Sequence, residues 1–280
     1  MLDNENGEFF ATENKGYALI GEAYLQGALD KTALKLGRFE IDTPHADTDD
    51  IRMVPNTFQG AVLSNEVLAD TTISFLYLDE WAGVDTDVPE RFKDINGDDG
   101  VFALGIEYGG IDNTQLQAWF YWGNDFAKLF YVESIYETEK VSVGLQFGSQ
   151  SDDTQGDGGP DGDVYGVMAS YTLDAATLTV AYNEVSGTVI DGFGGGPYFT
   201  SADDHTLGEV EDQRAVALGL EYVGIQTLTL GFLHADFDIG SNDTDYYATY
   251  EMGEDLVIEM IYTDLHEDGH FLRLMANYYF

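Results

Sequence analysis

The chain has 280 residues, with 11 Lys+Arg against 52 Asp+Glu and a formal net charge of −41. That charge repels phosphate backbones and excludes nucleic acid as a partner, while the absence of cysteine excludes disulfides and thiol chemistry. No run of about 18 apolar residues occurs, so no transmembrane helix is expected, and no basic-then-apolar leader is visible at the start. An acidic disordered protein would lack aromatics, yet there are 18 Tyr and 17 Phe. Composition leaves two classes: a soluble acidic β-protein with calcium, or a β-barrel with an apolar outer wall and an acidic lumen and loops.

Period-2 segments run along the chain. Gly16–Ala28 is the first. Phe102–Tyr108, Gln115–Trp122, Val141–Phe147, Tyr165–Tyr171 and Thr177–Asn183 read the same way. In Arg214–Tyr222, Val216, Leu218, Leu220 and Tyr222 oppose Ala215, Ala217, Gly219 and Glu221. In Gln226–Leu233, Leu228, Leu230 and Phe232 oppose Thr227, Thr229 and Gly231. In Leu256–Thr263, Leu256, Ile258, Met260 and Tyr262 oppose Glu259 and Thr263. The last segment sets Leu272, Leu274, Ala276, Tyr278 and Phe280 against Arg273, Asn277 and Tyr279, with Phe271 and Met275. One face is therefore large and apolar and the other small or polar. Gly, Ala, Thr and Glu cannot fill a core, but they suit a water-filled lumen. Tyr108, Trp122, Tyr171, Tyr182, Tyr222, Tyr262 and Tyr278 sit near segment ends, as an interfacial girdle requires. A soluble β-sandwich is the competing reading.

The connections separate the two. Short ones are Leu29–Lys31, Ala69–Asp70, Gly109–Asn113, Tyr136–Lys140, Leu173–Ala176, Gly224–Gln226 and Met252–Asp255. Between them come the longer Ile41–Asn56, Ala82–Asp99, Ser149–Asp163, Val185–Gln213, Asp236–Asp243 and Asp264–His270. Gly123–Asp125 breaks the rule by being short. Short turns on one side and long loops on the other mark an outer-membrane barrel, which a sandwich has no reason to imitate. The pattern predicts about fifteen strands in a single β-barrel domain over the whole chain. Counted back from a periplasmic C-terminus, it predicts an odd number of strands ahead of Met1.

Three stretches carry a family resemblance. Leu34–Gly60, LKLGRFEIDTPHADTDDIRMVPNTFQG, resembles the constriction region of OprD-type outer-membrane porins and of the related major porins of Campylobacter-like bacteria. Gly194–Glu209, GGGPYFTSADDHTLGE, is similar to a second constriction loop of that family. The terminal Leu272–Phe280 resembles the signal read by the barrel-assembly machinery through its final Phe280. The resemblance implies an antiparallel up-and-down transmembrane barrel of 18 strands, about 15 of them present here. It places Ile41–Asn56 and Val185–Gln213 on inward-folded loops.

The expected pore constriction is His45, Asp47, Asp49, Asp50 and Arg52 in the first loop, with Asp203, Asp204, His205 and Glu209 in the second. Acidic groups facing basic ones would select permeants by charge. The competing reading of both groups is a solvated acidic loop. Parity adds Glu22, Lys35, Glu107, Glu221, Glu259 and Arg273 to the lumen wall. Arg38 joins them only if a bulge corrects its parity against Leu34 and Leu36. The basic lumen ladder of the family is thin here, with five Arg and six Lys in all. Asp94, Asn96 and Asp98 have the alternate spacing of a calcium loop, but Asp99 and Gly105 stand where its Gly and Glu belong. A plain hydrophilic outer loop is the preferred reading, so no cofactor is expected, with calcium held loosely at outer loops as the alternative. The five His accompany no nucleophile motif, so no enzyme is expected. The expected function is passive diffusion of small hydrophilic solutes, cations favoured, across the bacterial outer membrane. The alternatives are a barrel displaying acidic loops for adhesion or divalent-ion bridging of lipopolysaccharide, and a soluble calcium-binding β-protein. Expected partners are outer-membrane lipid, lipopolysaccharide, cationic solutes and the assembly machinery, with a homotrimer as the oligomer to test for.

Overall fold

Alternating β-branched, aromatic and small residues favour pleated strands, and strands make up nearly all the regular structure. The structure, a computed structural model, describes residues 16–48, 54–83, 85–86, 89–124, 127–152, 161–189, 192–194, 196–208, 210–253, 255–266 and 268–279. They fall into two compact units, Met1–Val132 with Gly148–Asp161 and Asp191–Gly196, and Glu133–Phe147 with Gly162–Ile190 and Pro197–Phe280.

The first unit contains β1 (Ala23–Leu29), β2 (Thr32–Phe39), the short β3 (Asp42–Thr43) and β4 (Ala46–Asp47), β5 (Thr57–Asn65) and β6 (Thr71–Ala82). It continues through the short β7 (Lys93–Asp94), β8 (Val101–Ile111) and β9 (Thr114–Trp122). Then follow β10 (Ala127–Glu137), β11 (Val141–Asp152) and β12 (Asp161–Leu173), which contribute residues to both units. The second unit contains β13 (Ala176–Gly187), β14 (Arg214–Ile225), β15 (Leu228–Phe237), β16 (Asp243–Met252), β17 (Leu256–Asp264) and β18 (His270–Tyr278). Each long strand pairs with the next long strand, from β1 to β18, while β7 pairs β6 and β3 pairs β4. Among the described residues the long strands number fifteen, in line with the turn spacing. Pairing is antiparallel, as in β13 with β14, where Val180 faces Leu218 and Tyr182 faces Val216.

Turn chemistry fixes the short connections. Left-handed backbone is required at Asp30 (φ 52°), Asp70 (φ 53°), Asn113 (φ 59°) and Asp174 (φ 53°), and Asp or Asn supplies it each time. Thr227 (φ 65°) is the exception, a β-branched residue in the same region. Two of these hairpins share a motif that inspection of the sequence for repeats overlooks. Glu107-Tyr108-Gly109-Gly110-Ile111 and Glu221-Tyr222-Val223-Gly224-Ile225 each carry a register shift between the Tyr and the Ile. In each, the tyrosine ring lies over the glycine two residues on, and a Cβ there would strike its hydroxyl.

The two faces differ as the alternation requires. On β14, Val216, Leu218 and Leu220 are 43–47% exposed, while Ala215 and Ala217 are 1% and 3% exposed. On β8, Leu104, Ile106 and Tyr108 are exposed and Val101 and Ala103 buried. A continuous apolar surface of this kind is costly against water and stable against hydrocarbon.

Several boundaries differ from the sequence expectation. The expected strand Gly16–Ala28 is a strand only from Ala23 to Leu29. The expected long connections Asp236–Asp243 and Asp264–His270 shrink to 238–242 and 265–269, because the flanking strands extend into them. The lean face is also not uniformly lean, since Leu76, Leu78, Trp119, Tyr121, Leu129 and Tyr131 are buried on it. The short turns should face the periplasm and the long loops the outside. A thiol introduced by Ser241→Cys should label in intact cells with a membrane-impermeant maleimide, and one at Ala175→Cys should not. The reverse labelling would invert the orientation.

Candidate functional site

Ile41–Asn56 follows β2 and turns on Pro44-His45, with Asp42 opposite Asp47 and Thr43 opposite Ala46. Its first half is pinned by Thr48, whose hydroxyl receives the Ile41 N–H at 2.9 Å and donates to the Ile41 carbonyl at 3.0 Å. Its end is pinned by Asn56. That N–H donates to Thr48 O at 2.6 Å, and its amide donates to Asp85 Oδ2 at 2.6 Å and to Asp47 O at 3.3 Å. Asp85 N–H returns a bond to Asn56 Oδ1 at 3.2 Å.

The tip of this loop lies against the lean face of the wall. His45 is buried, with its ring edge-on to Tyr121 at 5.5 Å and to Tyr131 at 6.0 Å. Its N–H donates to the Tyr121 hydroxyl at 3.3 Å. The wall neighbours Phe120 and Phe130 are exposed on the opposite face. A second segment joins here. Phe193 N–H donates to His45 O at 3.0 Å and Asp47 N–H donates to Phe193 O at 2.9 Å, a parallel bridge. Gly192 (φ 99°) and Gly194 (φ 100°) flank it, and a Cβ on either would meet the backbone oxygen of His45 or Asp47. Phe193 then packs edge-on to Trp81 at 5.4 Å, and Trp81 stacks on Phe58.

In the second unit, residues 197–207 of the connection between β13 and β14 fold onto the lean face. Tyr198 and Leu207 join Val164, Ala181, Val185, Ala215, Ala217, Ala235 and Phe237 in one buried cluster. Gly144 makes room, since a Cβ there would sit 2.7 Å from Phe199 Cζ. A buried polar network ties the segment down. Asn183 donates to Gln146 Oε1 at 2.6 Å, and Gln146 donates to Pro197 O at 2.8 Å. Phe199 N–H donates to Gln146 Oε1 at 3.0 Å, and both the N–H and the hydroxyl of Thr200 reach Asn183 Oδ1 at 3.1 Å.

Further along, three successive backbone N–H groups point at two aspartates of β16. Asp203 N–H donates to Asp245 Oδ2 at 2.9 Å, and those of Asp204 and His205 donate to Asp243 Oδ2 at 3.2 Å each. The Thr263 hydroxyl lies 2.7 Å from Asp245 Oδ1 and 3.1 Å from Asp203 Oδ2, sharing one proton between two carboxylates. Arg273 pairs closely with Asp203, both being largely buried. His205 Nδ1 stands 3.8 Å from a carboxylate oxygen of Asp204 and of Asp243.

The expected site residues are thus distributed as follows. His45 and Asp47 lie on the first inward segment, and Asp203, Asp204 and His205 on the second. Asp49, Asp50, Arg52, Glu209 and Phe280 lie outside the described residues. Lys35, Glu107, Glu221, Glu259 and Arg273 stand on the lean face of their strands. Lys35 lies over the rings of Tyr24 and Phe39, Glu221 accepts from the Tyr247 hydroxyl at 3.4 Å, and Glu259 accepts from Asn277 at 2.9 Å. Glu22 precedes β1 and is exposed outside any strand. Arg38 is corrected to the other face. It stands in register with Gln59 and Glu80, donating to Gln59 Oε1 at 3.1 Å under the Phe92 ring, while the next rung, Phe39, Phe58 and Trp81, is buried. The register shift between Gln59 and Gly60 falls in the β5–β6 ladder, while β2 pairs with β5 without a break from Thr32 to Phe39, so Arg38 keeps the parity of Leu34 and Leu36. Around Asp94, Asn96 and Asp98, the turn is held by Asn96, which donates to Gly100 O at 3.2 Å and Asn124 O at 2.9 Å. Among the described residues no group of three or more His, Cys, Asp or Glu is placed to hold a metal ion. Sequence reading missed Gln146, Asn183, Phe193, Asp243, Asp245 and Thr263. Only the polar Asn183 between buried Ala181 and Val185 offered a signal.

The model of the outer membrane porin OprD family matches residues 12–237. The chain belongs to the OprD family of outer-membrane porins. Among curated proteins nothing matches it in sequence. Solved porins share its fold. A BenF-like porin from Pseudomonas fluorescens Pf-5 superposes with a TM-score of 0.82 at 15% identity, over 96% of this chain and 79% of that one. OccK8 (OprE) of Pseudomonas aeruginosa gives 0.80 at 14% identity, over 97% and 84%. OccD3 (OpdP) of the same organism gives 0.77 at 16% identity, over 92% and 77%. The fold of this OprD-family porin is accordingly the all-β, antiparallel, up-and-down transmembrane barrel. Its place is the bacterial outer membrane and its activity is that of a channel for small solutes.

Asn183 is the keystone of the inward segment of this porin. Asn183→Ala would remove one of the two donors to Gln146 Oε1 and orphan two groups of Thr200, at about 1–3 kcal/mol for each orphaned buried group. The substitution should speed proteolysis within 197–206 by at least about tenfold, with the wall still heat-modifiable on gels. An unchanged cleavage rate would remove Asn183 from that role.

Proposed function

We propose that this porin is a cation-preferring diffusion channel for small hydrophilic solutes, narrowed by Ile41–Asn56 and by the inward part of Val185–Gln213. The observation that carries the charge preference is where the few basic residues go. Arg38 and Arg214 stand on the apolar face, Arg214 paired with Glu184 at 3.0 Å, and Arg273 is neutralised by Asp203. The lean faces keep Glu107 together with Lys35 in the first unit, and Glu221 and Glu259 in the second. Fixed acidic charge along a water-filled path raises the local cation concentration and repels anions. The first loop would add Asp47, Asp49 and Asp50 at the narrowest level, with His45 anchoring its tip.

The test is the reversal potential of the channel in a tenfold salt gradient. Asp47→Asn/Asp49→Asn/Asp50→Asn should lower the cation-to-anion permeability ratio by about 2–5-fold. Glu221→Gln/Glu259→Gln should lower it further in the same direction. A ratio unchanged in both variants would remove these carboxylates from the permeation path.

A further inference from the structure

We propose that Asp243 and Asp245, with Thr263 and Arg273, are positioning residues that latch residues 203–205 to the wall and thereby set the bore of the channel. The inference rests on the reading that the connection between β13 and β14 lines the passage.

The argument starts from what these side chains do not do. Residues of β16 and β17 pair through their backbones, Asp245 opposite Thr263, and β15 pairs with β16 the same way, Ala235 opposite Asp243. That ladder needs no carboxylate. Asp243 and Asp245 are nevertheless buried, at 0% and 3% exposure. Two carboxylates two residues apart on one face of a strand repel each other, and burial raises the cost. Their compensation comes largely from the inward segment. Asp243 Oδ2 takes two of its N–H groups and Asp245 Oδ2 takes a third. Three successive N–H groups facing one direction form an anion-binding concavity, and the wall supplies the anions. Arg273 and Thr263 then hold the Asp203 side chain. The segment is gripped through its backbone as well as by one side chain, so its height above the wall is fixed to within a hydrogen bond's tolerance. A loop so held narrows the channel by a constant amount. Released, it would move in and out of the current path.

The experiment is single-channel recording of the full chain in planar bilayers. Asp243→Ala/Asp245→Ala should raise the open conductance by about 1.5–2-fold and increase open-channel noise. The chain lacks cysteine, so Asp203→Cys/Thr263→Cys can be added to that variant. Bridging the pair with a short bifunctional thiol reagent should restore the quiet, smaller current. A third protein carries a Gly-Ser replacement of 201–206. If the aspartate variant conducts like the unaltered channel while the replacement conducts more, the latch is overturned and the channel reading stands. If the replacement also conducts like the unaltered channel, the segment does not line the passage and both readings fall. Should the double variant fail to give a heat-modifiable species, Asp245→Asn with Thr263→Val decides by the same outcomes.

Discussion

Every backbone N–H and C=O that crosses hydrocarbon must find a partner within the protein, since lipid offers none and each orphan costs several kcal/mol. The strand order answers that demand directly. Each long strand takes the next as its neighbour, so from β1 to β18 each ladder joins strands that follow one another in the chain. The alternation of side chains then follows without further specification. Bulky apolar residues meet the lipid, and the opposite face is released from any duty to fill a core.

That release creates a second problem, which the inward segments solve. A loop that leaves the surface and lies along the lean face carries its own backbone groups with it, and these too need partners. The first unit meets the need with Thr48, Asn56 and the Phe193 bridge to His45 and Asp47. The second meets it with Gln146, Asn183 and two aspartates. Glycine appears where approach is closest, and large side chains such as Tyr121 and Tyr131 appear where a loop tip needs something to pack on.

The strands were legible because a period of two survives in the letters, and the turns because Asp and Asn mark left-handed positions. What failed failed for physical reasons. Residues 16–22 alternate well enough but form no strand in the described structure, and composition cannot register pairing. Asp243 and Asp245 look like loop residues, because an acidic pair inside a wall makes sense only once three distant N–H groups are known to face it. Trp119 and Tyr121 blur the two faces of β9, since a wall that receives a loop is bulky on both sides. Arg38 is the converse case. Its parity was readable from Leu34 and Leu36, and the register upholds the letters over the family ladder.

The tyrosines laid over Gly110 and Gly224 have a consequence for the surrounding bilayer. A phenol on a free rotamer can bob between headgroup and acyl chain, and the protein then tolerates a range of thicknesses. Tyr108 and Tyr222 have little such freedom, because each ring rests on backbone with no Cβ beneath it. Their depth is set by the count of residues to the turn, as on a ruler. The membrane must come to the protein at these two points, thinning or thickening locally where its natural height differs.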